Sequence, residues 1–229
     1  MKKLILCLAM VLLTEFVFPL GQCWSGDYYV RQNAGNDENP GTGWEQALAT
    51  IQKAVDMAQS SGGTETDTIH VGAGTYSENV DIADNYLILY GGYPSSGGET
   101  RDPVANPTII DGSNEAIGAF SIGSSHNITI DGFVIRNGTG AHIGGGIYIN
   151  ESSDVTISNN TIKGNDNGIN ANTSSGIAIM DNIIQNQTGS DQTEPDQSSG
   201  YGIYTNECSG TVSGNTISDN PWHGIYVNM

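Results

Sequence analysis

"SSDVTISNNTIKGNDNGINANTSSGIAIMDNIIQNQ", Ser152 to Gln187, says one thing twice. Val155-Thr-Ile157-Ser-Asn-Asn160-Thr-Ile162 returns 22 residues later as Ile177-Ala-Ile179-Met-Asp-Asn182-Ile-Ile184. Working outward, the phrase recurs in "ITIDGFVIRN" (Ile128 to Asn137) and in "TVSGNTISDN" (Thr211 to Asn220). The equivalent apolar positions form three sets: Ile130, Ile157, Ile179 and Val212; Ile135, Ile162, Ile184 and Ile217; Ile147, Ile169, Ile203 and Ile225. Short alternating strands between Gly- and Asn-rich turns cannot bury a face alone, but stacked copies form a continuous core. The pattern predicts an all-β parallel β-helix, a single-chain solenoid with coils of about 22 residues and inward stacks of like apolar residues.

Asn160, Asn182 and Asn215 share one turn position, with Phe133 there in the first copy. Their amides are expected to hydrogen-bond to the copies above and below and to tolerate left-handed backbone, which is a structural role. Further upstream, "WEQALATIQKAVDMAQ" places Leu48, Ile51, Val55 and Ala58 on one helical face, ending near Gly62 and Gly63. That amphipathic helix is expected to cap the open N-terminal end of the stack.

The chain has 229 residues, 31 of them Gly, with only 14% charged residues and a net charge of −18. Lys2 and Lys3 followed by the apolar run Leu4 to Leu13 read as an export signal over residues 1–23, a run too short to span a bilayer. Leu20-Gly21-Gln22-Cys23 also resembles a lipoprotein cleavage box, although Gln22 stands where a small residue is expected. Without residues 1–23 the chain loses two lysines and one glutamate, so its charge falls from −18 to −19. That balance argues against nucleic acid and anionic membrane surfaces as partners. No transmembrane segment follows the signal. Cys208 is the only cysteine beyond Cys23, so no disulfide framework is expected. The domain organisation is a strand and capping helix over 24–63, then coils over 64–229. The last coil ends without a capping segment, so either the chain continues or an end-to-end contact covers it.

"YYVRQNAGNDENPGTGWEQALATIQKAVDMA" followed by "DTIHVGAGTYSENVDI" resembles the opening of many exported bacterial right-handed parallel β-helix proteins, the pectate-lyase-like superfamily. "LYGGYPSSGGETRDPVANPTIIDG" is similar to surface β-helix proteins that carry an anchor. The resemblance implies a right-handed coil and a secreted, periplasmic or cell-surface location. This architecture hosts lyases, hydrolases, epimerases, adhesins and periplasmic factors, so it does not fix a function. The motifs of polygalacturonases and of the main pectate lyases are absent.

Loops on a rigid scaffold carry function. The interval from the second apolar set to the third varies, at 12, 7, 19 and 8 residues in successive copies, while the others barely change. That edge collects His142, the acidic loop "GSDQTEPDQSSG" with Asp191 and Asp196, and "NPWHGI" with Trp222 and His223. Arg136 and Lys163 fall at one position of adjacent coils, about 5 Å apart if the coils stack. Two readings of that pair stand: an anion or carboxylates between them, or offset of Asp131, Asp154 and Asp166 on a solvated face. Tyr148, Tyr204 and Tyr226 follow the third set on an outward series, with Asn170 between the first two. Together with Trp222, His142 and His223 they are candidate sugar contacts. No cofactor is required, but Asp166, Asp191 and Asp196 suit calcium, which tolerates irregular oxygen ligands.

The reading that follows is an exported protein that binds an extracellular polysaccharide. Cleavage by β-elimination would use Lys163 or Arg136 as base, although arginine is a poor one. The alternative is a non-catalytic cell-surface or adhesin module that is a fragment of a longer anchored protein. A periplasmic maturation factor is a third class.

Overall fold

The computed structural model describes residues 25–60, 65–83, 85–112, 118–140, 144–189 and 199–229. The export segment with Cys23, and the candidates His142, Asp191 and Asp196, lie outside the described residues.

Three parallel sheets wrap one core. Sheet A comprises Asp27–Val30, Asp67–Gly72, Asn85–Tyr93, His126–Asp131, Ser153–Ser158, Ile177–Met180 and Gly210–Ser213. Sheet B comprises Gly74–Tyr76, Thr108–Asp111, Phe133–Arg136, Thr161–Lys163, Ile183–Gln185 and Thr216–Ser218. Sheet C comprises Val80–Ile82, Gly118–Gly123, Gly145–Asn150, Ile169–Asn172, Ile203–Asn206 and Ile225–Asn228. Each coil runs from A to B to C and then returns to A one rung higher, the single-chain parallel β-helix expected from the repeats, with the right-handed crossover that the resemblance implies.

The three apolar sets are register neighbours, as in Ile130↔Ile157↔Ile179↔Val212 and Ile147↔Ile169↔Ile203↔Ile225. Ile130, Ile157, Ile135, Ile162, Ile184, Ile147, Ile169 and Ile203 are buried in the core. Each such isoleucine contributes roughly 1.5–3 kcal/mol on leaving water. Phe133, standing where later copies have Asn, packs edge-on against Phe120 at 5.6 Å.

At the A-to-B corner the expected ladder is present. Asn160 Oδ1 accepts from the Phe133 N–H, Asn182 Oδ1 from Asn160, and Asn215 Oδ1 from Asn182, each at 2.9 Å. Their Nδ2 groups donate to the carbonyls of Ile130, Ile157 and Ile179. The expectation of left-handed backbone at these asparagines is corrected. The positive φ belongs to the preceding residue: Gly132 (81°), Asn159 (55°), Asp181 (55°) and Gly214 (67°). The outer residue turns the chain, and this aims the next side chain inward, where its amide meets backbone groups that water cannot reach.

Two further ladders occupy the other corners. Between B and C, Asn165, Gln187 and Asn220 each accept from the backbone N–H one coil below and donate to Ile135, Ile162 and Ile184 carbonyls. Between C and A, Ser152 and Ser174 hydroxyls accept from the N–H groups of Ser125 and Ser152. Cys208 is the next rung, its thiol donating to the Asn206 carbonyl as the Ser174 hydroxyl donates to Asn172.

The N-terminal helix is shorter than its apolar pattern suggested. Helix α1 is Ile51–Ser60, preceded by a single 3-10 turn at Trp44–Gln46. Leu48 is not helical, because its backbone is bridged to Val30 and exchanges hydrogen bonds with Tyr29 and Arg31. Asp37 takes the next two N–H groups, those of Ala49 and Thr50. The helix starts where the Glu78 carboxylate accepts from Ile51 and Gln52, both at 2.9 Å. Ile51, Ala54, Val55 and Ala58 are buried, and the helix packs on strands of sheets A and C. No helix of the described residues is long and apolar enough to cross a membrane.

Candidate functional site

The outer face of sheet C carries the aromatic candidates. Tyr148, Asn170, Tyr204 and Tyr226 are register neighbours on successive strands. Alternation sends Ile147, Ile169, Ile203 and Ile225 inward, so this column points out. The Tyr204 and Tyr226 rings stack with centroids 5.5 Å apart and planes 7° from parallel. His223 stacks on Tyr226 at 5.7 Å, and Trp222 meets His223 edge-on at 5.3 Å. Tyr201, not singled out in the sequence, completes the cluster, with its ring 5.3 Å from Tyr204, 5.5 Å from Tyr226 and 5.9 Å from His223.

The backbone fixes these rings. Asn167 Oδ1 accepts from both Gly200 and Tyr201 N–H, at 2.9 and 3.1 Å, and the Trp222 N–H donates to the Gly200 carbonyl. Tyr201 is 5% exposed, whereas Trp222 and Tyr226 are 41% and 39% exposed. The outcome is an aromatic patch held by backbone hydrogen bonds with Trp222 and Tyr226 exposed, side chains that can contact the apolar face of a sugar ring. Tyr148 is separated from it by Asn170, which is buried and accepts from Asn172 Nδ2 at 2.8 Å. Burial, and secondarily the Glu151 carboxylate, push the Tyr148 phenol above its ordinary value. The Tyr201 signal was available as a tyrosine three residues before Tyr204, directly after a glycine.

The basic candidates lie on sheet B. Thr161↔Val134 and Ile162↔Ile135 pair, so Lys163 and Arg136 do occupy one column of neighbouring strands. The carboxylate paired with Arg136 is none of Asp131, Asp154 and Asp166, which corrects the expected offset for Arg136. Asp111, the register partner of Arg136 on the other side, accepts from Arg136 Nε at 3.0 Å. The guanidinium is always charged and here ion-paired, so it is not placed to act as a base. Asp131 instead accepts from Arg101, Ser158 and Asn159.

Lys163 borders a groove of about 580 Å³ on the outer face of sheet B, with Val134, Thr161 and Ile183 beneath and Pro103, Val104 and Pro107 alongside. Arg101 and Asp181 also line it. Asp166 serves the loop, its carboxylate accepting from the Gly140 N–H at 3.1 Å. Among the described residues there is no group of three or more His, Cys, Asp or Glu placed to hold a metal ion. Of the three calcium candidates, Asp166 is described, whereas Asp191 and Asp196 lie outside the described residues.

Two solved structures, of GH136 lacto-N-biosidase from Eubacterium ramulus as native protein and selenomethionine derivative, share 11% and 12% identity with this chain. Their TM-scores are 0.33 and 0.36, and the alignments cover 88% of this chain but only 40% of theirs. No curated protein matches. A family model described as "Right handed beta helix region" matches residues 95–229, well over half of the chain. With three parallel sheets coiled around inward isoleucine stacks, the chain belongs to that right-handed β-helix family.

Proposed function

We propose that this chain is an exported β-helix protein that binds an extracellular polysaccharide on the outer face of sheet C. The observation that carries the proposal is the parallel stack of Tyr204 on Tyr226, joined by the buried Tyr201 and by His223 and Trp222 into one patch whose Trp222 and Tyr226 are exposed. Lys2, Lys3 and the apolar run after them support export. Aromatic rings held by backbone hydrogen bonds lose little freedom when a ligand arrives, which favours affinity. The test is retention of the protein on a panel of immobilised polysaccharides. Specific retention that weakens about tenfold in Tyr226→Ala is expected; retention on no polymer would end the proposal.

A second reading, β-elimination, is favoured by one observation: Lys163 beside a groove of about 580 Å³, a volume that accommodates a sugar unit. The lysine would remove the proton next to a uronate carboxylate and the glycosidic oxygen would leave. Unsaturated uronate products, absorbing in the ultraviolet, should then appear with the natural chain and vanish with Lys163→Ala. Product formation unchanged in that variant would end this reading. An adhesin module of a longer protein predicts retention with no products.

A further inference from the structure

The aromatic column on sheet C has a companion. Two residues further along each strand stand Asn150, Asn172, Asn206 and Asn228, again in register from coil to coil. Asn228 Nδ2 donates to Asn206 Oδ1 at 2.6 Å, and Asn172 Nδ2 to Asn170 Oδ1 at 2.8 Å. The face thus presents a strip of rings beside a strip of primary amides. Each amide offers a carbonyl acceptor and two N–H donors, and each donor pair keeps a hydrogen beyond those used here. Sugar hydroxyls also donate and accept, so they match such a strip; carboxylates and sulfates only accept.

Charge points the same way. The corner residues that follow Asn150 and Asn206 are Glu151 and Glu207, with Thr173 after Asn172, and Asp81 stands in the tyrosine column, aligned through Ser121 with Tyr148. None of the five Lys and Arg side chains of the described residues is on a strand of sheet C. Arg31 is held by the carbonyls of Ser95 and Trp44, Lys53 lies on α1, and Arg101 is bound to Asp131. Arg136 and Lys163 belong to sheet B. A polyanion on sheet C would meet carboxylates with no lysine or arginine on its strands to answer them, on a chain of net charge −18.

Resting on the reading that sheet C binds a polysaccharide, we infer that its ligand is a neutral glycan lying along the solenoid axis, with rings on Tyr148, Tyr204 and Tyr226 and hydroxyls on Asn150, Asn172, Asn206 and Asn228. Tyr148 and Tyr226 are three rungs apart, about 14 Å at strand spacing. A chain of several sugars fits that span and a monosaccharide does not. The uronate chemistry of the lyase reading then belongs to sheet B alone.

The test is native-gel affinity electrophoresis of the full chain against a soluble mixed-linkage β-glucan, a galactomannan, polygalacturonate, alginate and chitosan. Retention by a neutral polymer is expected, unchanged between about 0.05 and about 0.5 M salt, because stacking and amide contacts are little screened. Oligosaccharide competitors should strengthen with each sugar up to the length of the aromatic column. Tyr226→Ala should weaken retention about tenfold, while Tyr226→Phe, which keeps the ring, should hold it within about threefold. The double change Glu151→Gln, Glu207→Gln should leave neutral binding intact and raise polygalacturonate retention. Retention of the natural chain by an anionic polymer, or by chitosan alone, overturns the neutral class and leaves sheet C binding standing. No retention by any polymer overturns both.

Discussion

At the three corners of the coil, the same device recurs in copy after copy: an outward left-handed residue, then an inward polar side chain bridging to the coil below. The outer faces behave otherwise. Sheet C carries tyrosines and asparagines, sheet B threonine, isoleucine and the Arg136 and Lys163 pair, and within one column Asn170 interrupts the tyrosines. Corners repeat because buried backbone groups must be satisfied in every coil. Faces vary because solvent satisfies them anyway, and that freedom is what a binding site needs. The lesson is that stability and binding are carried by different residues of the same few strands, and mutations should separate them.

The largest effect is expected at a corner. Asn182→Ala removes the acceptor used by the Asn160 N–H and side-chain amide, and the donor to the Ile157 carbonyl. Leaving those buried groups unpaired should cost about 3 kcal/mol in a denaturant titration, with polysaccharide retention per folded molecule unchanged. Reduced retention at full folding would blur the separation.

Tyr204→Ala reverses the pattern. It should weaken polymer retention about tenfold, about 1.4 kcal/mol, while lowering stability by only about 1 kcal/mol, through its ring contacts with Tyr201 and Tyr226. A stability loss of the size expected for Asn182→Ala would mean that the aromatic patch is structural.

A third prediction concerns the N-terminal cap, where a carboxylate takes the place of an amide ladder. Burial raises the Glu78 carboxyl above its ordinary value, partly offset by hydrogen bonds from Ile51 and Gln52. In the window from the ordinary carboxyl value up to the raised one, the folded chain holds a proton the unfolded chain has released. The stability from this group is therefore full below that window and declines as pH rises through it. Glu78→Gln should lower stability near neutral pH by about 1 kcal/mol, through loss of one of two acceptors, and flatten that decline. Denaturant midpoints between pH 4 and 7 of both forms check it; an unchanged slope would remove Glu78 as its source.

Cys208→Ser is the smallest. It restores the hydroxyl found at Ser152 and Ser174, and should change stability by less than about 0.5 kcal/mol. A larger loss would show that Cys208 contributes as an apolar atom, consistent with its packing against the core.

Much of the fold was legible because the inward isoleucines repeat at fixed intervals, and period is the property a sequence displays most directly. The Asn160, Asn182, Asn215 ladder was visible for the same reason. The second ladder was hidden by Gln187, whose longer side chain does the work of Asn165 and Asn220 and so breaks the pattern of identities. The start of α1 was misread because Leu48 continues the helical apolar spacing while its backbone is claimed by Tyr29 and Arg31, far away in sequence terms of local propensity. For the site, the tyrosine column was legible from strand alternation. Tyr201 was legible only as a tyrosine after a glycine, since it precedes its strand, and its place in the patch is set by Asn167 one coil below.

By itself the sequence determined a stack of similar coils, its inward residues and one face rich in tyrosine, because repetition and alternation are local and survive without knowledge of neighbours. The tertiary structure alone decided that Arg136 answers Asp111, that Arg101 from a distant loop answers Asp131, and that Trp222, His223 and Tyr201 join two tyrosines in one patch. Those pairings depend on which coil lies beside which and how far each loop reaches, quantities set by packing in three dimensions.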